Sequence, residues 1–361
     1  MDKLKFIETR TANTPEIKVV DKNKEYIYWG ENNMLPYELY NLFEKSSIMT
    51  AIVGSMRDYI LGDEIVNLTG FQTVNRKGDT LDDLVYKCVM DYCLFGGFAI
   101  QVIRTKSLEK VAELNWLDMR KVRISKDEDT IWFNEWDSRK RKQPVKLPRF
   151  LNGAKQANSV FYYKGRLTRT QYPTPMYVGA LTDLQISAEV DNYNMTNILN
   201  NFTPSAVINF NNGQNLGEDE IDELEQKIYD KFSGTSNAGK IVLSFNDDTE
   251  HATTIERLAD DGLENKYNNL MGTTRENIYA GFRINPVLTG LNKTNSGFTG
   301  QEFNEAFKLY NKTVIQPAQK EVIDAFEKIF GKGCMEIKPF TIEFDTVAEE
   351  PAENNDIKTI E

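Results

Sequence analysis

The sequence is poor in the residues that carry most side-chain chemistry. Its 361 residues include one histidine, His251. Ser-His-Asp, Cys-His and multi-histidine metal sites would all have to pass through it, and its surroundings, DDTEHATTIE, carry no supporting pattern. It reads as a solvated turn histidine. Three cysteines, Cys88, Cys93 and Cys334, are too few for a disulfide framework. In YKCVMDYCLF the first two are at no zinc spacing and read as small buried core residues. No apolar run approaches about eighteen residues, so no membrane span is expected. The opening stretch MDKLKFIETRTANTP has no apolar signal core, which predicts a chain made and used, or assembled, in the cytoplasm. Positive charge is short as well. There are 43 Lys and Arg against 54 Asp and Glu, a net charge of −11. That disfavours a protein gripping nucleic acid along its backbone, but not one that nucleic acid slides past.

What is present is a chain of globular composition, 40% hydrophobic and 27% charged, long enough for two or three compact units. The one dense basic run, Arg139-Lys140-Arg141-Lys142, reads as a solvated hairpin tip or loop. Acidic residues cluster at Glu218-Asp219-Glu220 and in the tail from Glu349 to Glu361. The first cluster opens a helical pattern, where carboxylates favour the helix dipole. That structural explanation leaves little for a metal-dependent nuclease built on these acids.

One stretch imitates a nucleotide site. In SGTSNAGKIVLSF, Gly234, Gly239 and Lys240 stand at the spacing of a P-loop. A P-loop needs a strand before it, a helix after it, and Ser or Thr next to the lysine to hold magnesium. Here Ile241 takes that place. Ile221, Leu224, Ile228 and Phe232 recur at helical spacing ahead of the loop, and KIVLSF behind it reads as a strand. The order is helix, glycine turn, strand. Gly234 then reads as a helix C-cap and Gly239 as part of a turn.

Along the chain, polar residues 1–35 carry strand-like EIKVV and EYIYW. Leu39, Leu42, Phe43, Ile48, Ile52, Met56 and Ile60 predict one helix from Leu35 to Gly62, with Pro36 in its first turn. LDDLVYKCVMDYCLFGG predicts a second helix. FAIQVIR, AELNWLD, KVRIS, TIWFNEW and SVFYYK read as strands, so 1–173 is an α+β region. Pro173 and Pro175 mark a break. Met176 to Phe202 then predicts one long, half-polar helix of the kind that packs against neighbouring copies. A small β-α-β-β insert comes next, with AVINF, a helix at 218–232, KIVLSF and TTIERL. Glu264 to Arg283 predicts another helix, and INPVLTGLNKTNSGFTG a long loop with a role of its own. The helix beyond it contains Pro317, where it should bend. Residues 331–361 hold at most one strand pair, MEIK with FTIEF, and a tail whose composition predicts disorder.

This order of elements resembles a tailed-bacteriophage portal protein. The resemblance is carried by YPTPMYVGALTDLQISAEVDNYNMTNILNNFTPSAVINF, by FSGTSNAGKIVLSF, by RENIYAGFRINPVLTGL and by FNEAFKLYNKTVIQPAQKEVIDAF, over about residues 25–330. It implies an α+β portal fold: a wing over 1–173, stem helices at 174–202 and 264–283, and a clip at 203–263. A tunnel loop and kinked helix would occupy 284–330, and a minimal crown 331–361. It implies a ring of about twelve copies at one capsid vertex. Its channel would pass double-stranded DNA, without sequence specificity, in packaging and ejection. The implied partners are the major capsid protein, the terminase large subunit and a head-tail adaptor. The chain would sit in the virion, and in the host cytoplasm during assembly. Asn292, Lys293, Thr294, Asn295 and Ser296 would form the tunnel loop. Glu218, Asp219, Glu220, Asn237 and Lys240 would face terminase and adaptor, and Pro317 would kink the later helix. No enzymatic activity, cofactor, metal or membrane is implied. The alternatives are a nucleotide hydrolase using Gly234 to Lys240, and another head-tail adaptor ring, which the chain's length disfavours.

Overall fold

The structure, a computed structural model, describes residues 19–20, 25–137, 143–151, 156–168, 170–199, 206–210, 241–245, 263–291 and 300–342. Two short antiparallel strands, β1 (Val19–Val20) and β2 (Tyr28–Trp29), come first. In α1 (Leu35–Lys45), Pro36 occupies the first turn, where a missing N–H costs nothing. Glu38 and Lys45 sit at the helix ends that their charges favour. α1 stops at Ser46, whose backbone is extended (φ −95°, ψ 109°). Ser46 Oγ accepts a hydrogen bond from Met49 N–H at 3.2 Å at the start of α2 (Ser47–Leu61). The single helix expected from Leu35 to Gly62 is therefore two. The apolar spacing runs across the break, but the serine hydroxyl gives the backbone another partner.

β3 (Glu64–Asn67) leads to α3 (Leu81–Phe95), which starts in a reciprocal cap. Thr80 Oγ1 accepts from Asp83 N–H at 3.2 Å, and the Asp83 carboxylate accepts from Thr80 N–H at 2.9 Å. α3 ends at Gly96, where φ is +79° and an added Cβ would lie 2.2 Å from the Thr174 carbonyl oxygen. Six strands come after it: β4 (Gly97–Arg104), β5 (Val111–Leu117), β6 (Val122–Ile124), β7 (Thr130–Phe133), β8 (Val145–Pro148) and β9 (Asn158–Lys164). A 3-10 turn, Met176–Ala180, runs into α4 (Leu181–Leu199). β10 (Ala206–Phe210), β11 (Ile241–Phe245) and α5 (Leu263–Gly281) come next. A 3-10 turn, Pro286–Thr289, precedes α6 (Gly300–Tyr310), a π-helical stretch (Asn311–Ile315), α7 (Gln316–Phe330) and β12 (Met335–Lys338).

The chain divides into two units. One contains Gly30–Thr50 and Met176–Phe282, and the other Val19–Trp29, Ala51–Pro175 and the chain from Arg283 onward. In the second unit, β5, β4 and β9 form an antiparallel sheet with β4 central, and α3 packs on β4. The first four residues of β4 are all buried, as a covered central strand requires. β6, β7 and β8 form a second antiparallel sheet. Trp29 stacks on Tyr172 at 4.6 Å, and the Tyr172 hydroxyl donates to the Ile27 carbonyl. The fully buried Arg123 lies 5.9 Å from the Trp29 ring and 5.2 Å from that of Trp136.

β12 pairs antiparallel with β3, with Ile337 opposite Ile65, and not with FTIEF as expected. Residues 339–342 form no strand. Gly62 (φ +67°) ends α2, and Asp63 N–H donates to the Lys338 carbonyl at 3.2 Å. That turn lays β3 along β12, a pairing between distant residues that local spacing cannot reveal. In the first unit, β10 and β11 pair in parallel, from Ala206 with Ile241 to Phe210 with Phe245. A parallel pair needs a long crossover, and the separation of β10 and β11 in sequence leaves room for one. The expected helix at 218–232, the strand TTIERL and the basic run 139–142 lie wholly or mostly outside the described residues.

Candidate functional site

The feature most suited to building an assembly is the helix pair of the first unit. Along α4, Leu181, Leu184, Ala188 and Val190 are buried. Along α5 the buried residues are Thr274, Ile278 and Tyr279, with Phe282 just beyond the helix. Leu181, Leu184 and Ala188, and Thr274, Ile278 and Phe282, recur at three- and four-residue steps, so each helix turns one stripe inward. The helices run antiparallel, because Ala180 lies beside Gly281 while Asn277 Nδ2 donates to Asp183 Oδ1 at 3.0 Å. Tyr177 stacks on Phe282 at 4.7 Å. A Cβ on Gly281 would lie 2.5 Å from the Ala180 Cβ, so the pair closes over two residues with almost no side chain. α1 packs on α4 through a face that buries Leu35, Leu39 and Leu42. Elsewhere the pair exposes apolar side chains. Met195 of α4 is 57% exposed and Leu270 of α5 47%, and Val178 in the 3-10 turn ahead of α4 is 37% exposed.

In the second unit, Tyr59 of α2 touches both flanks of residues 292–299. Its hydroxyl donates to the Leu288 carbonyl at 2.6 Å, and its ring meets Phe307 of α6 edge-on at 5.2 Å. Burial first, then the Asp58 charge, push its phenol up to about 12. Glu321 of α7 is buried and accepts from Tyr163 at 2.7 Å and Tyr92 at 3.2 Å. Arg166 Nε lies 3.4 Å from the same carboxylate. This cluster ties α7 to α3 and to β9. Burial, and then the Glu321 carboxylate, push both tyrosine hydroxyls up. Glu321 has a readable signal, an acid at a buried position of an apolar stripe, whereas Tyr59 has none.

Most of the sequence-predicted site residues fall in the gaps between described segments. Asn292, Lys293, Thr294, Asn295 and Ser296 lie outside the described residues, as do Glu218, Asp219, Glu220, Asn237 and Lys240. β11 begins directly after Lys240, so a strand follows the lysine where a P-loop would have a helix. Pro317 stands in the first turn of α7, immediately after the π-helical stretch. Gln316 N–H bonds the Asn311 carbonyl, five residues back, so the widened turn sits just where the proline N–H is missing.

Little in the described residues resembles reaction chemistry. No three His, Cys, Asp or Glu side chains among them are grouped to hold a metal ion. Burial pushes the Cys88 and Cys93 thiols well up, away from the reactive thiolate. No helix among the described residues is long and apolar enough to cross a membrane.

Residues 76–354 match the family model described as phage portal protein. The chain belongs to the phage portal protein family. Phage portal proteins are structural components and not enzymes. Chains in solved structures of gene transfer agent (GTA) particles have a similar fold. A chain of the neck of an empty GTA particle, computed with C6 symmetry, matches with a TM-score of 0.54 and 13% identity. That match covers 87% of this chain and 85% of the other. A chain of the native GTA virion matches with a TM-score of 0.54 and 14% identity, covering 86% and 84%. A chain of the native neck, computed with C12 symmetry, matches equally well at 14% identity over 87% and 86%. At this identity the likeness is one of fold. No curated protein matches the sequence.

Proposed function

We propose that this portal-family chain assembles into a closed ring of about twelve copies at one capsid vertex. The ring's axial channel passes double-stranded DNA during packaging and ejection. The reading rests chiefly on the family match over residues 76–354. It is supported by similar chains in particle necks computed with C6 and C12 symmetry. It is supported also by the α4–α5 pair, whose outward apolar residues suit contact with neighbouring copies. In this reading α4 and α5 are the stems and residues 203–263 the clip. Residues 1–173 form most of the wing, and the chain beyond Phe330 is a minimal crown. Glu218, Asp219, Glu220, Asn237 and Lys240 face the terminase large subunit first and a head-tail adaptor later. Asn292 to Ser296 line the channel, and the helix beyond them bends at Pro317. The wing meets the major capsid protein. Assembly takes place in the host cytoplasm and the finished ring resides in the virion.

Mass photometry with negative-stain class averages tests the assembly. The expected result is a particle near twelve chain masses with an axial hole. A monodisperse monomer under every assembly condition tried, including co-expression with capsid and scaffold, would rule the ring out.

A further inference from the structure

A cleft of about 270 Å³ in the second unit opens between β9, the residues after β8 and the end of α7. Its walls carry three cations, Arg149, Lys164 and Lys328, over aromatic residues that include Phe150 and Tyr162. One acid serves two of the cations. Glu128 pairs with Arg149 at 2.7 Å and with Lys164 at 2.9 Å. Lys328, in the last turn of α7, is exposed and makes no ion pair with another described residue. The cleft is therefore net positive on a chain whose net charge is −11. β9 is also an edge strand of its sheet. Phe150 N–H donates to the outward Val160 carbonyl at 2.8 Å. The two-residue period of a strand turns the main-chain groups of Tyr162 toward the same outer edge. Cations, aromatic floor and strand edge together suit an extended acidic segment.

We propose that the chain's own acidic C-terminal segment, residues 343–361, docks in cis in this cleft. The segment holds seven acids and one lysine: Glu343, Asp345, Glu349, Glu350, Glu353, Asp356 and Glu361 against Lys358. Its root, Ile342, belongs to the same unit as the cleft. Nineteen residues reach about 60 Å when extended. A unit of roughly 200 residues has a radius of gyration of about 17 Å. Glu349 to Asp356 follow Ile342 closely enough along the chain to give a reach of about 23–46 Å, comparable with the size of the unit. Single exposed ion pairs are weak and screened by salt, so a free acidic peptide would bind poorly. A tethered one acts at an effective concentration in the millimolar range. Docking would cover the cations and the open edge of β9.

The test is zero-length carbodiimide cross-linking of the full chain, with equal parts of heavy-isotope and ordinary protein, mapped by mass spectrometry. Lys164 to Glu128 is the internal control for the native fold. The proposal expects Lys328 and Lys164 joined to Glu349, Glu350, Glu353 or Asp356 within single-isotope chains. Lys328→Glu should lower the Lys164-to-tail links at least about fivefold without touching the control link. So should E349K/E350K/E353K, and so should about 0.5 M NaCl. With the control link present, the absence of tail links at the cleft overturns the proposal. Links only between heavy and light chains overturn it too, since the occupant would then be a neighbour's tail. Links insensitive to Lys328→Glu and to salt do the same.

Discussion

Asp91 shows how a single buried acid shapes stability. It sits on α3, 5% exposed, and accepts from Trp116 Nε1 at 2.7 Å. Burial is the main cause that pushes its carboxyl well up, and nearby Asp118 adds to it. The folded state thus keeps a proton that the unfolded chain releases near pH 4. With the folded value raised, the stabilisation is complete below about pH 4 and is lost as pH rises toward the folded value. Asp91→Asn keeps the shape and the acceptor for Trp116 but carries no titrating proton. The variant should match the parent at about pH 4 and melt higher at pH 8, by about 2–4 °C for each kcal/mol recovered. Thermal melts across pH 4–8 decide it. A parent and variant with parallel pH dependence would mean that Asp91 ionises normally in the fold.

At the scale of elements, the α4–α5 contact sets two rules against each other. Gly281→Ala improves helix propensity by about 1 kcal/mol. It also places a Cβ 2.5 Å from the Ala180 Cβ, and overpacking of that kind costs about 1–3 kcal/mol. The clash is between two short side chains, neither of which can swing away. Gly281→Ala should therefore lose stability on balance, by up to about 2 kcal/mol in urea titration. Adding Ala180→Gly should recover part of that loss, because the two positions are in contact. Simple additivity of the two substitutions would mean that the helices do not touch there. The same scale shows what could be read from the chain. β4, β5, β6, β7, β9, β10 and β11 were visible as β-branched and aromatic runs, and α4 and α5 through their apolar period. The break at Ser46 was not, since α1 and α2 share one apolar spacing and a side-chain hydroxyl decides between them. β3 and β8 were missed because both are short and largely exposed, with little alternation to detect. The pairing of β12 with β3 joins residues about 270 apart in sequence, and a local reading assigned it to its nearest neighbour instead. Tyr59 and Glu321 matter through partners that only folding supplies.

For the whole molecule, charge is the deciding quantity. Each chain carries a net −11, and closing a ring multiplies that charge around one axis. A duplex held by many phosphate contacts would bind more tightly with each one and would stop moving. An acidic body avoids that. It leaves room for a few cations that touch phosphates briefly, and Lys293 is the lysine within Asn292 to Ser296, the segment assigned to the channel. In the proposed ring, one lysine per copy would add one weak, salt-screened contact per copy, enough to brake or guide a moving duplex without trapping it. Lys293→Ala should accordingly leave ring mass and symmetry unchanged, because the residue is assigned no part in subunit packing. It should change the amount of DNA packaged per particle or its retention after packaging, and the change should shrink as salt is raised. Ring averages and encapsidated DNA length, measured on the same preparations, separate the possibilities. Loss of the ring would move Lys293 from the channel into an interface. Unchanged rings with unchanged packaging and retention at every salt would leave the moving DNA with no contact at this loop.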